Sequence, residues 1–566
     1  MHRLLPLLVL AAACADSSEP AGRPSVVLIT LDTTRQDALT CYGGPKRLTP
    51  YLDQFAAQGV TYLEARAVAP ITLPSHASML TGLWPPRHGV RVNGVAPLPS
   101  AATTLAETAK AAGYETAAFL AAVVLGRTFA LDQGFDVYDE VERPMVKTSN
   151  HFERRNARQI VDAALGWFDR RDSERPFVAW LHFFDPHGPC QPPPEHLMRA
   201  GGNPYYGEVA YMDEQVGRFL SELDERGLRD STLVIVVGDH GESLGQHGEE
   251  THGMLAYDSV MKVPFLVRYP DGRRAGERSR ENVSVADVFP TVADVLDLPV
   301  GDVDGRSLVD PVPADRGVWI ESLYGWAYYG WSPLVGWVVN GQKYLHSTSP
   351  ELYDLSKDPR EASNALAAGL AESHLAALRD VLSQPALSAT DRVAADPQLI
   401  AEMAALGYVV GATPGQAPDP LAPSRRPSPS SSTAELGLIQ QAFVAAQSGN
   451  SSAAEKAWAK VLERNPTNPT AHAERAYHLL QLRRFGEAAE GYRQANATGP
   501  ARTMNWMNLG ICLESMNDRG EAVVCYERAL VLDPHNPIAK HNFVRAMELE
   551  GRASETPSKL SGMGVP

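Results

Sequence analysis

The sequence predicts an α/β domain with a mostly parallel central sheet, followed by an all-α solenoid of repeated helix pairs. Three observations lead there. From Ser25 onward the β-rich runs VVLIT, FVAWLHF, LVIVV and PFLVR alternate with amphipathic stretches such as LAETAKAAG and YMDEQVGRFLSELDERG. That alternation is expected of strands joined by helices that cover a sheet. Aspartates follow three of the strands: Asp32 after VVLIT, Asp185 after the strand that begins at Phe177, and Asp239 after LVIVV. Ligands collect at the carboxyl ends of such strands, so these carboxylates are predicted to share one functional edge. Finally, Pro466, Pro500 and Pro534 recur at the 34-residue interval of a helix–turn–helix repeat.

A chain of 566 residues is too long for one hydrophobic core, so several domains are expected. With 44% hydrophobic and 21% charged residues the composition is that of globular protein, not of a membrane-spanning or disordered chain. A net charge of -16 argues against nucleic acid as a partner, because phosphate binding relies on clustered Lys and Arg. The N-terminus MHRLLPLLVLAAAC is a short basic start, an apolar run too brief to span a bilayer, and small residues before a cysteine. It resembles a bacterial lipoprotein signal in which Cys14 carries lipid and Asp16, Ser17 and Ser18 begin a tether. Ala11 stands where leucine is usual, so a plain secretory signal is the alternative. Either reading exports the protein, as an envelope lipoprotein facing the periplasm or outer surface, or as a secreted chain. Cys41, Cys190, Cys512 and Cys525 show no metal-ligand pairing, and the last two fall on apolar repeat faces as buried thiols.

Residues 411–433, rich in Pro, Ser and Ala and lacking apolar periodicity, read as an extended linker. Beyond it, Trp458, Tyr492 and Tyr526 keep the phase of the prolines, as do Ala454, Ala488 and Ala522. This is the tetratricopeptide pattern, in which alanines let paired helices approach and aromatics fill the space between repeats. The repeats are predicted over 434–550, with Pro537 to Leu549 as the covering helix and 551–566 as a flexible tail. Their concave face is expected to bind a protein or peptide.

The most informative stretch is Thr72 to Gly82, TLPSHASMLTG, followed by WPPRHGV. It resembles the C-x-P-S-R-x-x-x-(L/M)-T-G signature of the sulfatase family, a branch of the alkaline-phosphatase superfamily. Thr72 holds the position of the modifiable cysteine and His76 that of the arginine, while Pro74, Ser75, Leu80, Thr81 and Gly82 agree. The resemblance implies an alkaline-phosphatase-like sandwich over 25–310. It also implies a small C-terminal α+β subdomain over 311–410, whose ELYDLSKDPREASN stretch matches the family's closing sequence. That stretch is expected to be a surface hairpin and helix without chemistry, and Lys262 a structural strand start. A nucleophile at a helix N-terminus gains from the dipole and from free N–H groups that hold an anion, although Thr72 alone would pass for an N-cap.

The resemblance further implies a metal site made by Asp32, Thr72, Asp239 and His240. Thr33 replaces a second aspartate that many sulfatases carry. With an imidazole in the set, Zn or Mn is expected over Ca. His187 matches the family's PHxP histidine and His252 lies near a family lysine, and with Asp185 they would hold a second ion or contact the substrate's oxyanion directly. His76, His187 and His252 are thus expected to be catalytic, and Arg35, Asn93 and Asp185 to reach the substrate. The implied chemistry is a metal-bound threonine attacking a sulfate or phosphate ester. Sulfatases convert cysteine or serine to formylglycine, a conversion for which threonine is not a recognised substrate, so phosphoesters and phosphodiesters are slightly favoured. Phosphoryl or sulfuryl transfer is the neighbouring alternative. From another class, a non-catalytic envelope scaffold would bind an anionic polymer and recruit a partner through its repeats.

Overall fold

The computed structural model describes residues 22–94, 96–141, 155–367, 371–387 and 418–565. The predicted signal at Met1–Cys14, with its lipidation site, and residues 388–417 lie outside them. No helix among the described residues is long and apolar enough to cross a membrane.

Eight strands form the central sheet: β1 (Ser25–Leu31), β2 (Val60–Arg66), β3 (Glu115–Phe119), β4 (Val137–Asp139), β5 (Phe177–Phe183), β6 (Thr232–Gly238), β7 (Phe265–Arg268) and β8 (Arg278–Ser284). Their order is β4-β3-β5-β1-β6-β7-β2-β8, parallel throughout except that β7 runs antiparallel to β6 and β2. The central strands are buried along their whole length, which is why they read as continuous apolar runs. Alternate residues enter opposite cores. Val26, Leu28, Trp180 and Ile235 join one cluster, and Val27, Ile29, Leu181 and Val236 join the other.

A second sheet of four antiparallel strands follows: β9 (Val318–Ser322), β10 (Leu334–Val339), β11 (Gln342–His346) and β12 (Glu351–Asp354). The ELYDLSKDPREASN stretch supplies β12 and then turns, without the helix expected directly after it; the next helix is Glu372–Ser383. Nor is it a plain surface feature. Glu361, only 3% exposed, pairs with Lys343 at 2.8 Å, and Lys343 also reaches Asp258 at 2.9 Å. Asp258 in turn holds Arg66 at 2.9 Å, so a buried charge network ties the small sheet to the large one. Lys262, just before β7, pairs with Glu64 at 2.9 Å, in keeping with a structural role.

Helix pairs follow from Leu436–Gln447 and Ser451–Arg464 through Pro469–Gln481 and Phe485–Thr498 to Thr503–Ser515 and Arg519–Leu532, covered by Pro537–Leu549. The in-phase residues Ala454, Ala488, Ala522, Trp458, Tyr492 and Tyr526 are all buried, as are Cys512 and Cys525. Two boundary expectations change. From Arg426 to Thr433 the predicted linker is seated, not extended: Arg426 donates to Gly330 O and Thr498 O, and Ser428 bonds Ser347. Short serine and proline side chains permit this close seating, a property that composition alone does not separate from flexibility. The tail likewise forms the helix Thr556–Gly562, with Leu560, Met563 and Val565 packed on the repeat core.

Removing the cation from a buried pair strands its carboxylates. Lys343→Ala is therefore expected to lower unfolding free energy by about 3–5 kcal/mol in a denaturant titration.

Candidate active site

The register of three parallel strands creates the site. Leu31 on β1 stands opposite Phe183 on β5 and Gly238 on β6, so Asp32 and Asp239 emerge side by side. Asp32 N donates to Phe183 O and Asp239 N to Leu31 O, which extends the sheet one residue into the site. Asp239 Oδ1 accepts from Thr33 N at 3.2 Å and His240 N at 2.7 Å. Thr33 reaches this bond from a left-handed conformation, φ 48°, a local strain of about 1–3 kcal/mol that the site retains.

Facing this edge is the helix Thr72–Thr81, every residue of which is buried. Its motif residues have identifiable local duties. Ser75 Oγ donates to Ala69 O, Thr81 Oγ1 donates to Ala77 O and accepts from Leu83 N, and Gly82 closes the helix at φ 69°. In the following WPPRHGV segment, His88 bonds Ser78 Oγ through Nε2 and accepts from Val90 N through Nδ1. The helix start is thus fixed with Thr72 Oγ1 at 3.4 Å from both Asp32 Oδ2 and His240 Nε2.

Four imidazoles surround the carboxylates. His240 Nδ1 lies 3.0 Å from Gly241 O and donates to it, which leaves Nε2 as the lone-pair atom, 3.7 Å from Asp32 Oδ1 and 3.5 Å from Asp239 Oδ2. His76 Nδ1 donates to Thr72 O at 2.8 Å, and its buried Nε2 has no hydrogen-bond partner. His182, on β5, approaches Asp32 Oδ2 with Nε2 at 3.3 Å without hydrogen-bond geometry. His252 lies with its ring centroid 4.6 Å from that of His240 and its Nδ1 3.3 Å from both oxygens of Glu242.

Burial pushes Asp32 up, and burial followed by the Asp32 charge pushes Asp239 well up. Burial holds His76 and His182 at about 3, with the neighbouring imidazole of His182 adding to the effect on His76. For His252, burial acts downward but is outweighed by the Glu242 carboxylate, so its pKa rises. Asp32 Oδ1 and Asp239 Oδ2 are buried without hydrogen-bond partners. Neutral imidazoles and orphaned carboxylate oxygens in one place are the donor set that a divalent cation satisfies. Among the described residues two groups have that geometry: Asp32, Asp239 and His240; and His76, His182 and Asp239.

The structure brings Asp32, Thr72, His76, Asp239 and His240 together and places His187, ring centroid 5.2 Å from His252, at their margin. Other expectations change. Asp185 does not join His187 and His252 in a cation-holding group, because its Oδ2 accepts from Ala157 N at 2.8 Å and caps the helix Ala157–Phe168. Arg35 spends its guanidinium on Asp37 and on Glu242 O, which anchors the loop leading to His252. Asn93 Oδ1 accepts from Leu73 N at 2.9 Å, which positions the helix carrying Thr72 and leaves the buried Asn93 Nδ2 without a hydrogen-bond partner. His182 and Glu242 were missed in the sequence. A lone histidine inside the apolar run FVAWLHF, one strand from Asp32, was the available signal.

Fold and site together define an α/β domain with a candidate cation-binding centre at the carboxyl edge of its sheet. The sulfatase family model matches residues 24–298, a model of the N-sulphoglucosamine sulphohydrolase C-terminal region matches 245–386, and a tetratricopeptide repeat model matches 506–536. An arylsulfatase of Clostridium perfringens is 25% identical over 457 residues, covering 64% of this chain and 94% of that protein. An ulvan-active sulfatase of Formosa agariphila is 26% identical over 403 residues, covering 62% and 78%. The crystal structure of a phosphonate monoester hydrolase of Agrobacterium radiobacter superposes with a TM-score of 0.52 at 23% identity, covering 64% of this chain and 95% of that one. Residues 24–298 thus match the sulfatase family, which supports an ester hydrolase, and the C-terminal helical region carries a tetratricopeptide match.

Loss of an outer partner that orients a metal ligand typically weakens metal binding by about 10- to 100-fold, and His182 Nε2 lies 3.3 Å from Asp32 Oδ2. His182→Ala is expected to fall in that range in a competition titration of the metal-stripped protein, and a titration identical to wild type would remove His182 from the centre.

Proposed function

We propose that this chain hydrolyses sulfate or phosphate esters with Thr72 Oγ1 as the nucleophile, phosphomonoesters and phosphodiesters being its better substrates. The observation that carries the reading is the placement of that hydroxyl at a buried helix N-terminus, 3.4 Å from Asp32 Oδ2 and from His240 Nε2. Asp32, Asp239 and His240 would hold a divalent cation beside Thr72, and the imidazole content of the site favours Zn or Mn over Ca. Such a cation, when bound, supplies the positive charge that acidifies a neighbouring hydroxyl.

The chain's own groups do the rest. The positive end of the helix Thr72–Thr81 would orient the anionic ester through its dipole, since Leu73 N is held by Asn93 Oδ1 and Pro74 has no N–H. His252, biased toward its charged form by Glu242, faces the same space and balances negative charge that builds on the peripheral oxygens. Attack by Thr72 Oγ1 on phosphorus or sulfur expels the alcohol and leaves the group on threonine, from which water releases it. Threonine has no route to a formylglycine hydrate, and a directly esterified hydroxyl suits phosphoryl transfer better than sulfuryl transfer. This is why phosphoesters are favoured. The proposed setting is the bacterial envelope after export, with lipid on Cys14.

Thr72→Ala should reduce turnover of an aryl phosphate, a bis-aryl phosphate diester and an aryl sulfate by about 10³-fold or more. Thr72→Ser, which keeps the hydroxyl, should retain measurable turnover. Wild-type rates in Thr72→Ala would remove the nucleophile assignment, and preference for the aryl sulfate would reverse the ester assignment.

A further inference from the structure

The repeats do not hang from the catalytic module; they grip it at one buried carboxylate. Glu435 is 2% exposed and accepts from Trp331 Nε1 at 3.0 Å, Asn465 Nδ2 at 3.1 Å and Asn468 Nδ2 at 2.7 Å. Trp331 belongs to the catalytic module, and the two asparagines lie in the turn between repeat helices Ser451–Arg464 and Pro469–Gln481. Asn465 Nδ2 also donates to Tyr329 O at 2.7 Å, and Thr467 Oγ1 donates to Gly330 O at 3.1 Å. These carbonyls end the short aromatic helix Tyr324–Tyr329. Arg502, from the next repeat junction, donates to Ala327 O of that helix at 3.1 Å and lies over the Tyr328 ring.

The other side of the aromatic helix meets the active-site loop. Tyr328 stacks on Tyr324 at 4.1 Å, and the Tyr324 ring packs against Gly253, where an added Cβ would lie 3.6 Å from it. Ser322 Oγ, just before the helix, donates to Gly253 O at 2.5 Å. A second contact reaches the same loop from the Glu435 side, since Thr433 Oγ1 would lie 2.8 Å from a Cβ at Gly248. The loop between these contacts is internally braced, with buried Glu249 accepting from Met254 N at 2.8 Å and Ser243 N donating to Thr251 O at 2.8 Å. It carries Glu242 and His252.

We infer that Glu435 is a positioning residue for the ester-hydrolysis site: it locks the repeats onto the aromatic helix and thereby holds the loop that presents His252. The repeat module is therefore a working wall of the catalytic unit, whatever else its concave face binds. Removing the carboxylate leaves Trp331 Nε1 and Asn468 Nδ2 without this acceptor, takes one of two acceptors from Asn465 Nδ2, and lets the two modules part at the point where both press on the loop. The inference rests on the proposed role of His252 in hydrolysis, but its structural half does not depend on activity.

The test uses the full chain carrying Glu435→Ala, Glu435→Gln or, as a milder break in the same contact, Arg502→Met, each assayed below its own unfolding midpoint. Amide hydrogen exchange over residues 242–254 is read together with kcat and KM on the ester that wild type turns over. Glu435→Ala should speed exchange in that loop and lower kcat by about 10- to 100-fold with KM within about threefold, as misplacement near the chemistry does. Glu435→Gln, which keeps one acceptor oxygen but turns a donor amide toward the other site, should restore part of kcat, and Arg502→Met should move both readouts in the same direction as Glu435→Ala by less. Unchanged loop exchange in Glu435→Ala and Arg502→Met overturns the inference, as does a rise in KM alone. If wild type turns over none of the esters, the hydrolytic reading falls while the exchange data still decide whether Glu435 holds the loop.

Discussion

Two buried carboxylates at the ends of neighbouring parallel strands are the constraint on which the rest of the molecule depends. Asp32 and Asp239 are fully buried, and each has an oxygen without a hydrogen-bond partner. Burying such groups charged and uncompensated costs far more than a domain's net stability allows, so they either take up protons, as their upward shifts favour, or are met by positive charge or a cation. The surroundings are built accordingly. His240 turns its lone pair inward because its other nitrogen is committed to Gly241 O, and His76 does the same by donating to Thr72 O. The helix Thr72–Thr81 brings a hydroxyl and the positive end of its dipole to the same point.

A second shell of interactions holds these groups in place from opposite sides. Asn93 fixes the start of the nucleophile helix, Arg35 anchors the chain at Glu242, and Asp185 caps the helix Ala157–Phe168 beside the strand that carries His182. Farther out, the Lys343 network joins the small sheet to the large one, and Glu435 joins the repeats to the catalytic module. Each of these outer ties is a buried charged group whose partners come from distant parts of the chain.

That pattern explains what the sequence made legible. Strands β1, β5 and β6 declare themselves as apolar runs, the helix motif around Thr72 is contiguous, and the alanine, aromatic and proline phases of the repeats need only counting. Asp32, Thr72, Asp239 and His240 were readable because each adjoins such a local signal. The backbone partners of Arg35, Asn93 and Asp185, at Glu242, Leu73 and Ala157, lie in remote segments and were not readable locally. His182 was hidden in an apolar strand, and its role appears only once β5 is paired with β1. The seating of residues 426–433 and of the C-terminal tail depends on surfaces formed by remote segments, which no local window contains.

In the proposed reaction Thr72 carries the transferred group between two displacements. The stereochemical course at a chiral phosphorothioate diester tests this most directly, because two in-line displacements restore the original configuration and one inverts it. Net retention at phosphorus is the predicted result, and net inversion would contradict a threonine-bound intermediate.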